Sequence, residues 1–184
     1  NITDTPVGYK ASVGPDVNFT LTYNQLEATQ PATFTFSNLG QKWNHNWMSW
    51  VQDNPNSLGN NVKVILAGGG ARTERGYNSG SGEFTAESTD GTKLVLVSTS
   101  PIKYERRFAD GSKEIYTQSD SSSSSTRRVF LTSRMDAQGN AVTLIYDETQ
   151  RLTTIVDAVG QKTTLEYGNS AHPLLITGVT DPFG

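Results

Sequence analysis

The feature that most constrains this chain is a sequence that returns on itself every 21 residues. Asp136 and Asp157 stand 21 positions apart. Around them Leu131 and Leu152, Thr132 and Thr153, Ala137 and Ala158, Gly139 and Gly160, Leu144 and Leu165, and Tyr146 and Tyr167 recur in register. A third copy begins at Leu175 and Ile176 and reaches Asp181-Pro182-Phe183-Gly184, now 24 residues on, with the longer connection around Gly168 to Pro173. A unit this short cannot bury its own apolar face, so copies must stack on one another.

Each unit reads as a hairpin. Leu152, Ile155 and Val156 build one strand. In the turn Asp157-Ala158-Val159-Gly160 the Asp side chain can bond backbone N–H groups two residues on, and Gly supplies positive φ. Thr163 to Tyr167 returns, with Leu165 and Tyr167 on one face. Upstream, period-two alternation continues in Val17 to Tyr23, Thr33 to Phe36, Val62 to Leu66, Leu94 to Leu96 and Ile102 to Phe108. Asp90-Gly91 and Asp110-Gly111 are hairpin signals of the type I′ kind. No stretch keeps a helical period with caps at both ends. The expected fold is all-β: antiparallel strands and hairpins in an open, spiralling repeat sheet. Three stretches are expected along the chain: a β-rich region over 1–118, a serine-rich loop over 119–126, and the hairpin repeats over 127–184.

Composition narrows the functional classes. The net charge of −3 gives no general attraction to nucleic acid or an anionic membrane. Without cysteine there is neither a disulfide framework nor a thiolate metal site. No apolar run approaches the ~20 residues of a membrane helix. Asn1 to Gly8 lacks the basic and apolar regions of a signal peptide, so either a leader has been removed or the chain is an interior piece.

The repeat resembles a known family. Tyr146-Asp147, Arg151-Leu152, Ile155, Asp157 and Gly160 match the YD repeat of RHS proteins, with Gln150 where the pattern has Gly and Gly168 where the next pair has Asp. More loosely, Val17 to Asn24, Leu39 to Trp47 and Tyr104 to Tyr116 resemble the region preceding the first repeats of bacterial RHS proteins. The resemblance implies a large secreted or cell-surface protein whose sheet can spiral into a hollow shell around a C-terminal toxin. Insecticidal toxin-complex components and animal teneurins are related. It implies a scaffold with no enzymatic role, no cofactor, and the remainder of a longer polypeptide as its partner.

Other constellations are weaker. Gly68-Gly69-Gly70 lacks the Gly-Lys-Ser/Thr of a phosphate loop and reads as a turn. His45 and His172 have no metal-site spacing, and one carboxylate per repeat turn falls short of a Ca²⁺ site. Asp181-Pro182-Phe183-Gly184 resembles the segment at which RHS shells self-cleave, but reads here as an ordinary repeat turn. Trp43, Trp47 and Trp50 read first as a small core. As a glycan-stacking platform they give the alternative function, an adhesive module for neutral sugars. A glycosidase would need a pair of carboxylates, and none stands out. Finally, the strand ending near Val179 is expected to be a sheet edge exposing Leu175, Ile176 and Val179, with weak self-association through it.

Overall fold

The computed structural model describes residues 1–28, 30–60 and 62–184. Fourteen strands form two antiparallel sheets, with no helix among the described residues. The smaller sheet contains β1 (Ile2–Tyr9), β2 (Val17–Tyr23) and β3 (Trp43–His45), in that order. The larger has eleven strands: β4 (Trp50–Asp53), β5 (Val62–Ile65), β6 (Ala71–Glu74), β7 (Lys93–Thr99), β8 (Ile102–Arg107), β9 (Lys113–Ser119), β10 (Arg127–Met135), β11 (Ala141–Tyr146), β12 (Leu152–Val156), β13 (Lys162–Glu166) and β14 (Gly178–Thr180). The sheets are open, as the alternating pattern led us to expect.

β10 is the trunk of the large sheet. One edge pairs with β9 along nearly its whole length. The other is shared: Arg127 to Phe130 pair with β4, and Ser133 to Met135 pair with β11. The sheet therefore forks, with β4-β5-β6 as one limb and β11-β12-β13-β14 as the other. The serine-rich stretch is the connection between the paired strands β9 and β10. One apolar cluster takes residues from both sides of it, from Val17 and Phe19 to Leu165 and Ile176. The sequence stretches 1–118 and 127–184 thus share a sheet and a core, joined by the connection over 119–126.

The main core lies on the face to which Val51, Val129, Val142 and Ile155 point, all fully buried, and Val17 and Phe19 of β2 pack into it. Strand alternation places Trp50 and Phe130 on the opposite face, where Phe36, Met48 and Ile65 complete a second cluster. Phe36 belongs to a segment expected to be a strand. Over Thr33 to Phe36 the chain has no ladder; it wraps irregularly across the sheet, with Phe34 edge-on to Phe36. The apolar alternation there reports covering of a face and not pairing.

Two further expectations are corrected. At Asp90-Gly91 and Asp110-Gly111 only the glycines have positive φ, so neither turn is type I′, which needs both. At the last strand Ile176 is buried and Leu175 and Val179 are half-buried. The segment around Asn38 covers them: Asn38 bridges Leu175 in parallel, and its carbonyl accepts the Ile176 N–H at 2.9 Å. Backbone pairing stays open on that side, because β14 is hydrogen-bonded only to β13.

Glu74 of β6 is buried, 4% exposed. Burial raises its pKa; the charges of Arg72 and Arg106 pull it back, and Glu87 and Asp90 add to the rise. A carboxyl whose folded pKa is raised stabilises fully below its unfolded value of about 4.3, and that stability is lost as pH rises through the folded pKa. Glu74→Gln should therefore raise Tm at pH 7, with the gain shrinking toward pH 4. Thermal melts at both pH values check this, and a variant less stable at pH 7 contradicts it.

Candidate functional site: the stacked turns and the open edge

Each repeat hairpin closes on the same turn. The N–H of the fourth residue bonds the Asp carbonyl at 3.1 Å from Gly139 to Asp136, from Gln150 to Asp147 and from Gly160 to Asp157. The Asp N–H returns a 3.0 Å bond to the carbonyl of Asn140, Arg151 or Gln161. One carboxylate oxygen then accepts two more N–H groups: Gln138 and Asn140, Thr149 and Arg151, or Val159 and Gln161. At Asp136 the Asn140 amide and the turn N–H groups hold the carboxyl below its ordinary pKa. The sequence reading found the bond two residues on; the second, four residues on, comes from the geometry of the turn.

Asp147 shows that both ends of each hairpin use this device. Asp136, Asp147 and Asp157 recur about every half period, a spacing that marks alternate ends of the strands. The fourth turn position has φ of 93° at Gly139 and 89° at Gly160, and 64° at Gln150. An L side chain pays about 1 kcal/mol for that region. Gln150→Gly should stabilise the protein by about 0.5–1 kcal/mol in urea unfolding. No gain would mean that the side-chain contacts of Gln150 with Gln118 and Ser119 offset the strain.

The tyrosines tie the units together. Tyr146 donates its hydroxyl proton to the Leu131 carbonyl at 2.9 Å, and Tyr167 to the Leu152 carbonyl at 2.8 Å, in each case 15 residues upstream. Periodicity placed these rings on a common face; it could not show that each hydroxyl locks the preceding strand. Burial pushes the Tyr167 phenol up to about 12. Arg151 lies over the Tyr167 ring at 5.0 Å.

The N-terminal sheet reads this row of turns from the side. Tyr9 donates to the Asp157 carboxylate at 3.0 Å, and its ring meets Phe183 edge-on at 5.5 Å. Gly14 lies against Ala158 and Asn140, where a Cβ would come within 3.0 Å of each side chain. None of these contacts was legible in the sequence, since they join segments more than a hundred residues apart. Nearby, Asp181-Pro182-Phe183-Gly184 forms a repeat-type turn, with the Phe183 N–H on the Asp181 carboxylate at 2.8 Å.

The three tryptophans do not share a surface. Trp47 is in the main core with Arg134 over its ring, Trp50 is in the second cluster, and both are almost fully buried. Trp43 is half-buried at the end of the small sheet, tilted on Tyr23 at 5.2 Å. His45 is buried against Phe19, and His172 is exposed in the loop before β14. Gly68, Gly69 and Gly70 all have positive φ in the β5–β6 turn. Tyr116 donates to Glu114 at 2.8 Å, and its hydroxyl oxygen lies 3.1 Å from that of Ser49. Tyr116 and Ser49 are buried, and the Ser49 hydroxyl proton goes to the Ile65 carbonyl at 2.7 Å. Among the described residues no cluster of three His, Asp or Glu side chains could hold a metal ion.

The tyrosine bonds set a quantitative expectation. Tyr146→Phe and Tyr167→Phe each strip a partner from a strand carbonyl and should each destabilise by about 1–2 kcal/mol. Urea denaturation of the two variants checks this. A cost near zero for either removes the hydroxyl from the repeat design.

Comparison with curated proteins found no match for the chain. The family model described as RHS Repeat matches residues 130–162 and again 146–184, two overlapping registers that cover the hairpins built on Asp136, Asp157 and Asp181. The RHS repeat is a structural repeat. With the in-register turns, the tyrosine bonds and the open sheet they produce, these matches identify residues 130–184 as RHS/YD repeats.

Proposed function

We propose that this chain is a scaffold segment of a longer secreted or cell-surface RHS protein, whose sheet continues past β14 and can encase or deliver a C-terminal toxin. The observation that carries this is the last strand. β14 pairs on one side only, its turn already has the repeat geometry, and the β1–β2 end of the small sheet rests on that turn through Tyr9 and Phe183. A further hairpin would find a strand edge and a row of turns ready to extend. Of the three tryptophans, Trp43 alone is partly exposed for a neutral glycan to stack on, which favours the scaffold over the adhesive module.

An open edge associates with whatever strand is available. Residues 1–184 alone should show weak, concentration-dependent self-association in sedimentation velocity. Thr180→Lys, which puts a charge on the exposed face of β14, should reduce it. A polypeptide extended by two repeats should bury this edge and alter the contact. A 1–184 chain that stays monomeric throughout, or association unchanged by both alterations, would sink the proposal.

A further inference from the structure

At the fork, where β4 and β11 meet along β10, the packing leaves a small internal cavity. Phe36, Phe130 and Leu152 wall it, and Ser37, His45 and Tyr146 are its polar lining. It leaves about 10 Å³ for the centre of a water-sized molecule. That is room for one water and for no larger ligand.

His45 decides what the cavity must hold. The side chain is 1% exposed, stacked on Phe19 at 4.9 Å. Its Nδ1 accepts the Trp47 backbone N–H at 3.3 Å, so that nitrogen carries no proton. Burial, with the Arg134 charge, lowers the pKa to about 3, so the ring is neutral and its single proton sits on Nε2. Nε2 is buried and has no protein acceptor. A buried donor of this kind is satisfied in native proteins by ordered water when a polar space adjoins it.

We propose that the fork cavity is a binding site for one structural water, held by His45 Nε2–H together with the hydroxyls of Ser37 and Tyr146. Ser37 Oγ accepts the Leu152 N–H at 3.2 Å, and its own proton serves the water in exchange with the Tyr167 hydroxyl, the other acceptor in its reach. Tyr146 gives its proton to the Leu131 carbonyl and keeps an oxygen lone pair to accept. The water thus accepts from His45 and Ser37 and donates to Tyr146, three bonds in all, as is typical of buried water. It joins β3, the wrapping segment and the first repeat tyrosine, which no direct side-chain bond connects at this point.

A high-resolution crystal structure and ¹⁵N NMR of the His45 ring test the site together. The expected results are a density peak about 2.7–3.2 Å from Nε2, the Nε2-protonated tautomer, and a cross-peak from that proton to a long-lived water. A cavity without density, an Nδ1-protonated ring, or an Nε2 proton with no water cross-peak would each overturn it. None of these readouts depends on the scaffold proposal, which stands or falls at the β14 edge.

Discussion

Everything in the repeat limb depends on one interaction: a turn aspartate accepting two backbone N–H groups, two and four residues ahead. The turn fixes which residue of the outgoing strand faces which residue of the incoming one. In a sheet with a buried face, a slip of one residue would exchange the inward and outward sets. With Asp147 and Asp157 in place, Thr143 and Val156, and Thr154 and Thr164, meet in register, and Val142, Leu144, Ile155 and Leu165 all fall inward. The tyrosine hydroxyls add a second constraint, because Tyr146 and Tyr167 each reach a carbonyl 15 residues back only when the register is right.

The same logic explains which parts of the fold could be read from the sequence. A repeat shows its geometry two or three times, so Leu165 and Tyr167 could be assigned to a face by comparison with Leu144 and Tyr146. The strands at Val17, Val62, Leu94 and Ile102 were legible because one face of each is buried. β3 and β4 were not, since Trp43 to Asp53 crowds buried groups onto both faces and so shows no alternation. Thr33 to Phe36 misled in the opposite way, alternating without pairing. Trp43, Trp47 and Trp50 look like neighbours in sequence, but a turn between β3 and β4 sends them to three different environments. Sequence proximity of aromatic residues carries no information about a shared surface when a sheet change lies between them.

The upstream half solves a different problem. Repeat units meet copies of themselves, and apolar side chains with a capped turn suffice. β10 must instead accept β9, β4 and β11, three unlike partners, two of them on one edge. Buried charge marks these contacts. Arg127 grips Asp53 of β4 with bonds of 3.0 and 2.6 Å, and Tyr104 of β8 adds a third at 2.8 Å. Glu114 of β9 takes Arg106, Arg134 and Tyr116, and Arg134 continues to the Asn46 carbonyl at 2.6 Å.

Such networks add little net stability, because removing these charges from water offsets most of their attraction. Their effect lies in what they forbid. If β4 slipped by one residue along β10, Asp53 would remain buried without Arg127, an uncompensated charge costing several kcal/mol. A Val or Leu in the same place would pack almost as well in the shifted register. The apolar repeats can therefore vary in sequence and in loop length, as the 24-residue spacing to Asp181 shows. The fork cannot, and its polar contacts confine the first repeat strand to one position against the N-terminal region. From that fixed strand the rest of the sheet inherits its register, turn by turn.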